Sequence, residues 1–255
     1  MRIASLSPAA TEILFALGVE NQIVCRDQFS NFPEETADIP KIMGHQDVNG
    51  GDLLDFEPDM LLTGTVVQQK LAEKLKHEGF SVLHQDPRCL EDVYGTIRQL
   101  GMVFEREEEA KELVQRMRKE FNTVKERARH LPKQCVYLEE WHHPPFACGN
   151  WVPEVASFAG AQAFPIPAGE LSREVSLKDV QQFDPDMIVI SWCGAGLQAD
   201  PKLLVNRAGW DQLRAVQIGH IRVIDDSLLN RPGPRLVEGA QRIYGWLFEQ
   251  ASILF

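Results

Sequence analysis

Between residues 105 and 130 the apolar side chains of Ala110, Leu113, Val114, Met117, Phe121, Val124 and Ala128 recur at steps of three and four, with charged residues such as Arg106, Glu108, Lys111, Arg116 and Lys119 between them. That period lines one face of an α-helix. No Gly or Pro interrupts it before Pro132. A helix of about 26 residues, rising about 1.5 Å per residue, is roughly 39 Å long, more than most globular helices reach. On either side lie segments of different rhythm, in which short apolar runs alternate with amphipathic ones.

In the first segment, residues 3–6 read as a buried strand. Ser7-Pro8 supplies an N-cap and a Pro at N1, Ile13, Leu14 and Leu17 make a helical stripe, and Gly18 stops it. Residues 23–25 are a second strand. A loop rich in Asn, Pro, Asp and Gly follows over residues 26–51, broken by a short strand at 41–43 and carrying Phe29, Phe32, His45 and Gln46. A helix at 52–56, a strand at 60–63, a helix at 67–77, a strand at 80–83 and a helix at 90–102 complete this part. After Pro132 the pattern restarts: a strand at 134–138, a loop at 140–151, helices at 152–159 and 176–183, strands at 187–191 and 221–224, and a terminal helix at 234–251. Alternation of this kind predicts mostly parallel sheets with helices on both faces. The expected architecture is two Rossmann-like α/β lobes, residues 1–104 and 132–255, joined by one long backbone helix over 105–131. An internal echo agrees with it: Phe56-Glu57-Pro58-Asp59-Met60 and Phe183-Asp184-Pro185-Asp186-Met187 each stand between a predicted helix and a predicted strand.

Composition narrows the classes of function. The formal net charge of −11 argues against nucleic acid or an anionic membrane as partner, since both attract cationic surfaces. No apolar run approaches the roughly 20 residues that span a bilayer. Met1-Arg2 leads directly into the first strand, with no visible signal peptide. As written the chain is expected in the cytoplasm, or in the periplasm if an export segment has been removed. Cys25, Cys89, Cys135, Cys148 and Cys193 are odd in number and scattered, which is neither a disulfide framework nor a zinc site, and fits a reducing compartment.

No nucleophile elbow, phosphate-binding loop or metalloprotease motif is present, and no paired acid and base stands beside a nucleophile. Non-catalytic binding is therefore expected. Gly194-Ala195-Gly196-Leu197-Gln198-Ala199 has the spacing of a dinucleotide turn, but Asp200-Pro201 interrupts the helix that such a turn requires. His142 and His143 are neighbours in a loop and point to opposite sides, so they do not share one metal. Either reads as an axial ligand to cobalt or iron or as a loop histidine satisfied by backbone and water, and His45 carries the same two readings. Trp141, Trp151 and Trp192 lie at or just past strand ends, where α/β sheets hold ligands, although a packing role is the commoner one for Trp. Arg231, in a rigid Pro-rich loop before a helix, reads as an anchor for an anionic ligand group or as a surface ion pair.

Arg2-Ile3-Ala4-Ser5-Leu6-Ser7-Pro8-Ala9-Ala10-Thr11-Glu12 resembles the opening of the vitamin B12-binding proteins of ABC importers. These belong to the helical-backbone substrate-binding proteins, which also bind ferric siderophores and haem. Asp86-Pro87-Arg88-Cys89-Leu90-Glu91-Asp92-Val93-Tyr94, Pro144-Pro145-Phe146, Trp151-Val152-Pro153-Glu154 and Arg231-Pro232-Gly233-Pro234-Arg235 extend the resemblance over nearly the whole chain. It implies two lobes on one long helix with a ligand between them. It also implies a corrinoid ligand, or alternatively haem or a ferric chelate, with no required cofactor and no bound metal ion of the protein's own.

Phe29, Phe146 and Arg231 fall on matching positions of the family pattern. Elsewhere the chain departs from it: family tryptophans fall on His45 and Gly64, and an aromatic and an acid fall on Leu228 and Ser227. Phe29, His45, Gln46, Trp141, His142, His143, Phe146, Trp151, Trp192 and Arg231 are thus the expected ligand-binding residues. The family docks on its permease through an acid on each lobe. Those positions fall at Gly51, with Asp52 beside it, and at Lys178, with Asp179 beside it. A Lys there would repel a permease arginine, so a relative uncoupled from a transporter is a further expectation.

Overall fold

The computed structural model describes residues 1–253. The chain divides into two compact units. The first comprises Met1–Pro87 and Glu91–Gln115, and the second Arg88–Leu90 and everything from Arg116 on.

The first unit is built on four parallel strands: β1 (Ile3–Ser5), β2 (Ile23–Arg26), β3 (Met60–Gly64) and β4 (Val82–Gln85), in the order β2-β1-β3-β4. Between them run α1 (Pro8–Ala16), α2 (Gly51–Leu54) and α3 (Gln69–His77), followed by α4 (Leu90–Val103). Ser7 caps α1 with its side chain, and Gly18 leaves the helix with φ 69°, as the sequence predicts. The predicted strand at 41–43 is reduced to a single bridge between Lys41 and Arg26. Ala4, Leu6, Cys25, Leu61, Leu71 and Leu75 form the core, joined by Ile42 and Val48 from the long loop.

The long helix α5 (Glu107–Ala128) starts two residues later than its hydropathy suggests, because Glu105 takes φ 57° and separates it from α4. The seven apolar residues of its stripe are all buried. Three glutamates open it and Lys125 and Arg127 close it, the charge order that the helix dipole favours. Its first nine residues belong to the first unit and the remainder to the second.

The second unit holds a mixed sheet. It contains β5 (Gln134–His142), β6 (Pro145–Ala147), β7 (Ala161–Ala163), β8 (Arg173–Glu174), β9 (Met187–Ile190) and β10 (Ile221–Val223), in the order β10-β9-β5-β6-β8 with β7 also on β5. The helices are α6 (Val152–Phe158), α7 (Leu177–Phe183), α8 (Pro201–Val205), α9 (Arg214–Gln217) and α10 (Leu236–Ile253). The segment expected as a loop after residue 138 is largely a hairpin. β5 continues to His142 and turns at His143-Pro144 into antiparallel β6. Each unit is an α/β layer structure, the first on a parallel sheet and the second on a mixed sheet whose central pairings are parallel, so the predicted fold class holds.

The internal echo is a structural repeat. Glu57 and Asp184 take the same left-handed conformation, φ 45° and 46°. The Asp59 carboxylate accepts from the Arg2 amide at 2.6 Å, and that of Asp186 from the Cys135 amide at 2.7 Å. Met60 then pairs with Ile3 and Met187 with Val136. The turn thus sets the register of the two central parallel strands in each unit, and β7-β5-β9-β10 repeats β2-β1-β3-β4.

Candidate functional site

In the first unit the strand order reverses at β1 and β3, since α1 leads from β1 to β2 on one side and the chain returns to β3 on the other. The carboxyl ends of strands at such a point are where open α/β sheets bind ligands. The residues there are tightly organised. Asp27, fully buried, follows β2 directly. Its Oδ1 accepts from the Ser30 amide at 2.8 Å and the Ser30 hydroxyl at 2.5 Å, and its Oδ2 lies 2.9 Å from His45 Nδ1. Behind Ser30, Thr11 Oγ1 donates to Ser30 Oγ at 2.9 Å and lies 2.8 Å from Ser5 Oγ. Gln68, also fully buried, donates to the carbonyls of Leu6 and His45, both at 2.7 Å, and accepts from the Gly64 amide at 2.8 Å.

A Cβ at Gly64 would lie 2.8 Å from Ser7 Oγ, the hydroxyl that caps α1, so a side chain here would have to displace it. The next residue, Thr65, takes φ 61° and ψ 163°, a region that β-branched residues avoid, and its amide N–H donates a hydrogen bond to the Gln85 carbonyl at 2.7 Å. Phe29 is exposed and stands edge-on to His45, ring centroids 5.4 Å apart. Gln46 is exposed on the same loop.

In the second unit Trp141, His142 and Phe146 share the β5–β6 hairpin, and Trp141 pairs with Phe146 across it. Trp141 is exposed and its indole N–H donates to the His143 carbonyl at 3.0 Å. His142 is half-buried and lies over Trp192, centroids 5.0 Å apart, and beside Trp141 at 5.6 Å. His143 is exposed at the turn. Trp192 is buried and donates its N–H to Glu139 Oε1 at 2.8 Å. Arg207 meets the same carboxylate with two bonds of 2.7 Å, Tyr137 donates to it at 2.9 Å, and the Arg207 guanidinium lies 4.6 Å from the Trp210 ring centre. Burial beside that carboxylate raises the Tyr137 phenol well above its ordinary pKa, so it remains a donor. One residue on, Glu140 accepts from Ser172 at 2.6 Å, and Ser172 accepts from the Gly149 amide at 2.8 Å. Burial raises the Glu140 carboxyl above its ordinary pKa.

Trp151 resembles the other tryptophans in sequence but packs inside. It is buried, and its N–H donates to the Leu229 carbonyl at 2.7 Å. Arg231 is half-buried between a 3-10 turn at Asp226–Leu228 and α10. Ser227 and Leu228, where the family pattern carries an acid and an aromatic, are buried in that turn. The glycine-rich turn is filled by the chain itself: Asp226 accepts from the amides of Gly194 at 2.9 Å and Gly196 at 2.8 Å, which leaves neither for a pyrophosphate. Asp27, Gln68, Glu139 and Arg207 were not singled out by sequence. The signal for Asp27 was a carboxylate directly after a strand, in the loop that also holds His45.

Among the described residues no group of three or more His, Cys, Asp or Glu side chains is arranged to hold a metal ion. The Cys25 thiol is pushed up to about 12 by burial, and burial raises Cys148 too, so both are protonated at neutral pH. Among the described residues no helix is long and apolar enough to cross a membrane. Asp52 is exposed in the first turn of α2, and Lys178 and Asp179 are exposed at the start of α7. Asp179 closes a capping box with Ser176, accepting from its amide at 2.8 Å and its hydroxyl at 2.6 Å.

The family described as periplasmic binding protein matches residues 3–228. An uncharacterized ABC transporter substrate-binding lipoprotein of Bacillus subtilis is 27% identical over 254 residues, covering 95% of this chain and 78% of the relative. A vitamin B12-binding protein of Vibrio vulnificus is 23% identical over 249 residues, covering 95% and 88%. Among solved structures, a periplasmic heme-binding protein from Roseiflexus superposes with a TM-score of 0.84 at 21% identity, covering 98% of each chain.

Proposed function

The chain belongs to the periplasmic binding protein family, and from that premise we propose that it is the substrate-binding component of an ABC importer whose ligand is a corrinoid. The relatives are named as binding proteins, and the proposal includes that this one leaves its ligand unchanged. The observation that carries the ligand class is the pairing of ring-bearing side chains with isolated imidazoles. Phe29 and His45 stand at the strand ends of one unit, and Trp141, His142 and Phe146 on the hairpin of the other. With no multidentate metal cluster among the described residues, a metal would arrive inside its own macrocycle. Relatives named for vitamin B12 support a corrin first. Haem, after the Roseiflexus structure, and a ferric chelate are the alternatives.

A permease partner and a location outside the cytoplasm go with this reading, since the relatives are named as lipoproteins or periplasmic proteins. The expected cytoplasmic relative without a transporter finds no support in those names. Asp52 is the better docking acid, because the Asp179 carboxylate is engaged by Ser176.

The test is an absorbance titration of the purified protein with cobalamin, cobinamide and haemin. Saturable binding of a corrinoid is expected. Binding of haemin alone would transfer the protein to the haem branch, and binding of none would overturn both the corrinoid and the haem readings and leave the ferric chelate.

A further inference from the structure

We propose that His45, through Nε2, is an axial ligand to the metal of a planar chelate, and that Asp27 is the positioning residue that keeps its imidazole in the tautomer this requires. The inference rests on the chelate-binding reading above and names the atom that makes the bond.

The tautomer follows from counting donors. An ionised carboxylate only accepts hydrogen bonds. Asp27 Oδ2 lies 2.9 Å from Nδ1, so Nδ1 carries the proton. Gln68 Nε2 also lies 3.2 Å from Nδ1, but both of its hydrogens are directed to the carbonyls of Leu6 and His45 at 2.7 Å, which leaves none to compete for the ring. In the neutral ring the lone pair is then on Nε2. That atom has no hydrogen-bond partner among the described residues, and the side chain is 26% exposed. A histidine whose far nitrogen donates to a buried carboxylate is the usual form of a metal-ligating imidazole, since the carboxylate fixes the ring and raises its basicity.

The ring is held from several directions. The loop enters and leaves through Ile42 and Val48, both buried in the core. The Ile42 amide donates to the Arg26 carbonyl at 2.8 Å. Gly44 turns the chain with φ 99°, where a Cβ would meet Asp47 Oδ1 at 3.0 Å. Asp27 is itself locked by Ser30, with Thr11 and Ser5 behind it. The edge of Phe29 limits ring rotation on the outer side. His142 and His143 lack this support: no ring nitrogen of either has a hydrogen-bond partner among the described residues, and nothing fixes their tautomers.

A single imidazole is one donor, and no three-ligand cluster accompanies it. The geometry thus suits a metal whose equatorial positions are already filled, with one axial position open. Imidazole binds both iron and cobalt well.

Diaquacobinamide and haemin are the probes, followed by their visible spectra on the intact chain. The wild-type protein is expected to give the bands of a nitrogen-ligated metal. His45→Ala should lose that shift and recover it when millimolar imidazole is added. In Asp27→Asn the carboxamide would donate to Nδ1 and move the ring proton to Nε2, and affinity should fall about 10–100-fold, the usual cost of losing an outer-shell partner. His142→Ala should leave the spectrum unchanged. Wild-type binding with an unshifted spectrum, or a shift retained in His45→Ala, would overturn the inference and leave the chelate reading standing, and unchanged affinity in Asp27→Asn would overturn the role given to Asp27. No binding of either probe by the wild type would overturn the inference together with the corrin and haem readings it rests on.

Discussion

Arg207 holds a buried anion in place. Its two bonds to Glu139 are charge-assisted and bidentate, and it is almost as buried as the carboxylate it meets, with side-chain exposures of 15% and 0%. Replacing one partner of such a pair leaves the other charge without compensation, whereas replacing both is tolerated much better. Arg207→Met is therefore expected to lower unfolding free energy by about 3–5 kcal/mol, and adding Glu139→Gln should recover most of the loss. A urea titration of the two variants checks this, and equal losses in both would show that the charge is not what matters. At this scale the sequence was readable where residue type is rare. A His and a Phe stand out in a polar loop at positions 45 and 29, and the structure brings their rings to 5.4 Å. The sequence was silent where meaning comes from a tertiary neighbour: Asp27 is one carboxylate among 37 acidic residues until the fold brings it to His45. Trp151 and Trp141 look alike in the chain, and only burial separates the packing residue from the exposed one.

Helices with a strong stripe and marked ends are legible to within two or three residues, α1 from its Ser-Pro start and Gly stop and α5 from its seven-residue apolar face. Short elements were not. β7, β8, α8 and α9 span two to five residues, too few for a period to show, and their conformation is set by the strands and turns they pack on. The β5–β6 hairpin was missed for the same reason, since Trp141-His142-His143-Pro144 reads as loop chemistry until β6 pairs with it. The junction of α4 and α5 shows how closely two well-marked elements can depend on one glycine. A Cβ on Gly101 would fall 2.5 Å from the Ala110 Cβ and 3.0 Å from the Arg106 carbonyl oxygen, and neither is a flexible side-chain end. Gly101→Val should therefore destabilise the first unit by about 1–3 kcal/mol despite its better helix propensity. Thermal unfolding by circular dichroism measures it, and an unchanged or raised midpoint would mean that the two helices separate at little cost.

Across the whole molecule, the tryptophans are distributed unevenly. All five, Trp141, Trp151, Trp192, Trp210 and Trp246, lie beyond Arg116, so their fluorescence reports on the second unit only. The first unit is visible to circular dichroism but contains no Trp. The two units share α5, which contributes its first nine residues to one and the rest to the other. Nine residues are too few to persist as a helix without tertiary packing. Loss of the first unit would therefore strip the packing from Ala110, Leu113 and Val114 and fray the helix toward Met117 and Phe121, which are buried in the second. The units are thus expected to unfold together. Gly101→Val, which lies wholly in the first unit, should lower the urea midpoint read by tryptophan fluorescence as much as the one read by circular dichroism. Arg207→Met, wholly in the second, should move both in the same way. If Gly101→Val shifted an early dichroism transition while fluorescence stayed at the wild-type midpoint, α5 would not couple the units, and each would have to be treated as an independently stable half.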